Sequence, residues 1–175
     1  MKKVLLATLV AILFASCNNG KNVTIFEIGD SRDDVINTMA NDFTIEGEHW
    51  TKDKIIDKEH LDSRGTRKVI TLYECVYKGQ EYYKVRVYFS YGKVSRMELK
   101  IGKDKMKNLH KRLESKYGDS RRANLPRGLP GLPPSWEIST VYIGDIDGIV
   151  VTEESDVYEL IVVSGEQYYE LKSFL

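Results

Sequence analysis

Three consecutive strand-like runs, Lys68 to Tyr77, Glu81 to Ser90 and Val94 to Ile101, constrain this chain more than any other feature. They are joined by Lys78-Gly79-Gln80 and Tyr91-Gly92-Lys93, two short hairpin-like turns each holding a glycine. Connections this short leave no room for a crossover, so the strands must pair antiparallel as a meander. Val85, Val87 and Phe89 alternate onto one face, as do Met97, Leu99 and Ile101 on the next strand. One side of the sheet is therefore buried. The same alternation sends Tyr82, Lys84, Arg86 and Tyr88 outward in a row, with Tyr73 and Tyr77, then Arg96 and Lys100, joining that side from the flanking strands. Tyr and Arg are enriched in the cores of binding interfaces, although Tyr and charged residues are also ordinary cross-strand neighbours on a wet sheet face.

Two helices are expected to cover the buried side. Ser31 is a good N-cap, Asp34 follows three residues later, and Val35, Ile36 and Met39 form an apolar stripe. Lys103 to Tyr117 reads as the clearest helix, with Met106, Leu109, Leu113 and Tyr117 at spacings of three and four and Gly118 as its C-cap. Residues 47–68 are charged and poor in pattern and read as a loop or irregular hairpin, with Trp50 turned inward. Trp136 to Ile143, Ile149 to Thr152 and Val157 to Val163 read as further strands, and Gln167 to Leu175 as a short terminal helix in preference to a last strand. The fold class is α+β: an antiparallel meander with helices packed on one face. Ile28-Gly29 and Ile101-Gly102 each precede a helix, 73 positions apart, which raises two helix-plus-three-strand halves.

All four prolines fall between Pro126 and Pro134, interleaved with Leu125, Leu129 and Leu132. An irregular segment from Arg121 to Pro134 is long for a compact domain, and such loops are often functional. Arg121, Arg122, Arg127 and Leu129 make it a second candidate binding element, against the plainer reading that its leucines cap the core. No catalytic motif stands out. His49, His60 and His110 lack metal-ligand spacing and read as solvated or structural. Asp145-Ile146-Asp147-Gly148 is a fragment of a calcium loop that reads better as a hairpin turn. Cys75 lies inside a strand-like run and reads as a small apolar core residue. The expectation is no catalytic, cofactor or metal site.

The first sixteen residues are of another kind. A basic start at Lys2-Lys3 leads into an apolar run from Val4 to Phe14, too short to span a membrane and laid out as a secretory signal peptide. Phe14-Ala15-Ser16-Cys17 resembles a bacterial lipobox, with Phe14 where Leu is usual. The resemblance implies cleavage before Cys17 and acyl chains on Cys17; stable anchoring takes more than one chain. Residues 17–24 then form a lipidated tether, and 25–175 a single domain. The whole chain balances 26 basic against 26 acidic residues. Loss of Lys2 and Lys3 leaves a slight acidic excess, which argues against nucleic acid as a partner. The implied location is the cell envelope, on the outer membrane facing the periplasm.

Gly29-Asp30-Ser31-Arg32-Asp33-Asp34-Val35 resembles the opening helix of small outer-membrane lipoproteins related to the accessory subunit of the β-barrel assembly machinery. It is also similar to the repeat of the β-lactamase inhibitor protein fold. The match covers about a dozen residues, and Ala40-Asn41-Asp42 replaces the usual Gly-x-Pro. The resemblance implies helices on an antiparallel meander and a habit of binding proteins. The expected function is an envelope lipoprotein acting as a protein-interaction module, an assembly factor or an inhibitor. The alternative is a receptor for a small ligand or glycan that stacks on the sheet-face tyrosines.

Overall fold

The computed structural model describes residues 24–106, 108–124, 138–173 and 175. Cys17 with the signal and all of the tether but Thr24, together with Arg127, Leu129 and the four prolines, lie outside the described residues.

Helix α1, Arg32–Asp42, starts where the sequence places it. The Ser31 hydroxyl accepts from the Asp34 amide, and Asp33 and Asp34 sit in the first turn, against the positive end of the helix. Strand β1, Phe43–Ile45, follows at once. The segment expected to be a loop instead forms a short helix, α2 (Lys52–Ile56), and a short strand, β2 (Glu59–Leu61). Thr51 caps α2 and Ile55 anchors it in the core, so one buried side chain and one cap order a stretch without periodicity. Trp50 packs against the core as expected.

The meander occupies its expected place as β3 (Lys68–Tyr77), β4 (Gln80–Ser90) and β5 (Lys93–Gly102). The next helix, α3, spans only Leu109–Tyr117 rather than starting at Lys103. Residues before it turn, and Asn108 enters the helix from the left-handed region at φ 59° without a side-chain cap. Gly118 closes it at φ 82°, a conformation that glycine alone adopts freely. Strand β6, Arg121–Asn124, takes residues assigned to the irregular segment into the sheet by pairing with β7. The remaining elements are β7 (Ile138–Ile143), β8 (Asp147–Glu153), β9 (Val157–Ser164) and the terminal helix α4 (Gly165–Ser173).

All described strands belong to one antiparallel sheet in the order β1-β3-β4-β5-β9-β8-β7-β6, with β2 also on β3. Two runs that each open on a helix and end in an antiparallel meander, β3–β5 in the first and β6–β9 in the second, meet where β5 pairs with β9, the last strand of each. Gly29 donates to the Val94 carbonyl at the start of β5, and Lys103 donates to the Asp156 carbonyl just before β9, both at 2.9 Å. The two glycine-bearing entries to the helices therefore dock on corresponding turns of the two meanders.

The main core lies on one face. Val35, Ile36 and Met39 of α1 and Leu109 and Leu113 of α3 pack there on Ile70, Leu72, Val85, Val87, Met97, Leu99, Leu160 and Val162. A second, smaller cluster lies on the opposite face, where Val141, Val150, Ile161 and Val163 meet Leu171 of α4. Helices therefore cover both faces, not one. The reason is visible along β9: Leu160 and Val162 serve the first core and Ile161 and Val163 the second, so an apolar run buried on both sides needs a cover on each.

Candidate functional site

On the second face the register of β3, β4, β5 and β9 assembles a charged network. Thr71 stands opposite Arg86, Arg86 opposite Glu98, and Tyr88 opposite Arg96. Lys84 stands opposite Lys100, which in turn stands opposite Glu159. Glu98, only 6% exposed, is the hub. Its Oε1 accepts from the Tyr88 hydroxyl at 2.6 Å and from Arg96 Nη2 at 2.7 Å. Its Oε2 accepts from Arg86 Nη1 and lies near Lys84 Nζ, each at 3.3 Å. Lys84 also reaches Glu159 at 2.9 Å, and Arg86 Nε donates to the Thr71 hydroxyl at 3.1 Å. The Arg96 guanidinium lies over the Tyr88 ring, 5.0 Å from its centroid.

Burial opposes the charge of Glu98, but the Tyr88 hydroxyl, Arg96 and Lys84 outweigh it and hold its carboxyl below the usual glutamate range. Burial and the neighbouring Glu98 push the Tyr88 phenol up, so it remains a donor. The charged Glu98 accepts from both Arg86 and Arg96 and so orients the two side chains.

Above this floor lies a cleft of about 400 Å³. Val69, Arg86, Tyr88 and Arg96 form its floor, the connection from His60 through Asp62 to Arg67 forms one wall, and Gln167 of α4 stands on the other side. The wall is a tight turn built on Asp62. Its carboxylate accepts from the Thr66 amide at 2.8 Å and the Arg67 amide at 3.3 Å, and from the Thr66 hydroxyl. That turn presents Arg64 and Arg67 to the cleft. Among the described residues, neither guanidinium has a carboxylate within 4.0 Å.

The predicted surface is thus partly assembled and partly taken apart. Lys84, Arg86 and Tyr88 lie on the second face as expected, and Tyr73, 58% exposed, lies with them, its hydroxyl beside Arg86. Tyr82 does not point outward. It is 6% exposed in the main core, where burial pushes its phenol up to about 12. Tyr77 packs on Phe43 from the core side, ring centroids 4.9 Å apart. Both exceptions have one cause: the alternation breaks at Glu74, which adopts φ 47°, and at its neighbour Tyr83. Beyond that step Cys75 and Tyr82 resume with the opposite parity. Arg121 and Arg122 sit on β6, five strands from β4 and so roughly 24 Å away at the usual strand spacing. Arg121 bonds the Leu175 carbonyl at 3.2 Å instead.

The other candidates resolve as structural groups. His110 Nδ1 lies 2.7 Å from the Tyr142 hydroxyl and its Nε2 3.5 Å from Glu153. Tyr142 is fully buried, so this relay satisfies a buried hydroxyl rather than presenting one. Asp147 turns the β7–β8 hairpin, its carbonyl accepting from Gly144 and its carboxylate from Tyr117. Cys75 is buried, and burial pushes its thiol up to about 12, which leaves it an unreactive core residue. Among the described residues, no group of three His, Cys, Asp or Glu side chains is placed to hold a metal ion.

Sequence reasoning did not single out Arg64, Arg67 or Glu98. A signal for Glu98 was present: Lys84, Arg86, Arg96 and Lys100 share a face, and four cations packed together require a carboxylate among them. A comparison of the chain with protein-family models, with curated proteins and with solved structures finds no match in any of the three.

Proposed function

We propose that this chain is a lipid-anchored envelope protein, tethered through Cys17, whose role is to bind another component of the envelope through the second face of its sheet. One observation carries the reading: four arginines converge on a single cleft, two of them braced from below by a buried carboxylate. Holding such a cluster in a sheet face costs desolvation that a plain apolar face would avoid, and the return is a preorganised, positively charged recognition surface. The cleft has the volume of a small-ligand site, which favours the receptor reading over a flat protein-interaction face. Its lining is arginine rather than the stacked tyrosines of a glycan site. The two helix-plus-meander halves support the likeness to the β-lactamase inhibitor protein fold, but no binding residue comes from that likeness.

Photocrosslinking in cells expressing the full chain tests this directly. A photoreactive phenylalanine analogue replaces Tyr73, beside the cleft, or Ile146, more exposed still on the β7–β8 turn. The expected result is one adduct, identified by mass spectrometry, from position 73 and none from 146, together with alkynyl-palmitate labelling that Cys17→Ala abolishes. Equal adducts from both positions, or an unlabelled wild type, would contradict the proposal.

A further inference from the structure

The charge that the described residues place around the cleft does not balance. Among the described residues, Arg64, Arg67, Arg86 and Arg96 line it and Lys84 lies behind the floor, five cations; Asp62, Glu98 and Glu159 oppose them with three carboxylates. The surplus is two positive charges. The three carboxylates are moreover committed. Asp62 is bonded to the Thr66 and Arg67 amides of its own turn, Glu98 to Tyr88, Arg86 and Arg96, and Glu159 to Lys84. Arg64 and Arg67 are left with their forks of donors facing the cleft.

We propose that this cleft is a binding site for a phosphate monoester, an inference that rests on the reading of the second face as the recognition surface. A monoester carries close to two negative charges near neutral pH and so matches the surplus, where a carboxylate or a phosphodiester would leave one cation unanswered. The planar guanidinium gives two parallel hydrogen bonds to a phosphate, and such charge-assisted pairs are roughly twice as strong as neutral ones. Arg64 and Arg67 grip the phosphate from the wall, and Arg86, held by Thr71 and Glu98, meets it from the floor. The first turn of α4 reaches the same cleft through Gln167. A volume of about 400 Å³ exceeds what the phosphate alone fills, leaving room for the organic part of the ester.

The ester has two natural sources, a soluble sugar phosphate or the headgroup of an anionic lipid. Calorimetric titration of the full chain in detergent, at near-physiological salt, separates them with glucose 6-phosphate and short-chain phosphatidic acid as probes and acetate and glucose as controls. The expected result is binding of at least one phosphate probe ten-fold or more tighter than acetate, with no response to glucose. Arg64→Gln combined with Arg67→Gln is expected to lower that affinity at least ten-fold while the melting temperature stays within a degree or two, since both residues sit in a surface turn. The tighter of the two probes identifies the source. Acetate binding as well as either phosphate, or the double variant binding as well as the wild type, would overturn the proposal. Loss of phosphate binding with the position-73 crosslink intact would remove the phosphate site alone and leave the binding face standing.

Discussion

Replacing Glu98 with Gln is expected to destabilise the protein by about 3–5 kcal/mol, the usual cost of removing one member of a buried charge cluster. The substitution keeps the shape but removes the carboxylate charge that faces Arg96, itself 5% exposed, and weakens the hold on Arg86 and Lys84. The comparison is Glu154→Gln. Glu154 pairs with Lys100 at 3.1 Å, but its side chain is 48% exposed, so its loss should cost no more than about 1 kcal/mol. Urea denaturation of both variants measures the difference; similar midpoints for the two would contradict the role given to Glu98. The same residue sets a pH dependence. Its folded pKa lies below the unfolded one, so its stabilisation is fully present above the ordinary glutamate range and is lost as pH falls through and below it. The wild type should therefore lose stability on acidification over that window more steeply than Glu98→Gln, in which the titrating group is absent.

Tyr82→Ala should lose about 3 kcal/mol or more, in the range of large aromatic deletions from a core, whereas Tyr73→Ala should change stability by less than about 0.5 kcal/mol. The two tyrosines look alike in the sequence and are assigned to the same face by simple alternation. The structure places one at 6% exposure in the core and the other at 58% on the surface. Thermal or urea unfolding of the pair distinguishes the two arrangements, and a mild Tyr82→Ala would mean that strands β3 and β4 keep their parity past Glu74.

That pair also marks how far the sequence was legible. The bounds of β3, β4 and β5 were readable to within a residue, because strict alternation and glycine turns are local signals. The start of α1 was readable for the same reason, since Ser31 and Asp34 form a local cap. Tyr82 was misplaced because one left-handed residue, Glu74, with the break opposite it at Tyr83, reverses the parity of the hairpin end from Cys75 to Tyr82, and nothing in the residue type of a glutamate announces that conformation. The position of α4 followed from a non-local fact, the two-sided apolar character of β9, which has meaning only once β8 and β5 are known to flank it. Half of the cleft was legible and half was not. Arg86 and Tyr88 lie on a periodic strand, while Arg64 and Arg67 lie in a short turn held by Asp62 within a segment without periodicity. Their convergence on Arg86 depends on β2 pairing with β3, which brings that turn over the sheet.

The central claim is that the Arg64–Arg67 turn and the sheet face beneath it meet another component in the envelope. Amide hydrogen exchange of the full chain, in native membranes and after purification in detergent, tests it most directly. The account predicts slower exchange in native membranes for amides of residues 62–67, with the equally superficial turn at 144–147 unchanged as an internal reference. Equal exchange at 62–67 in both settings, or protection confined to 144–147, would contradict it.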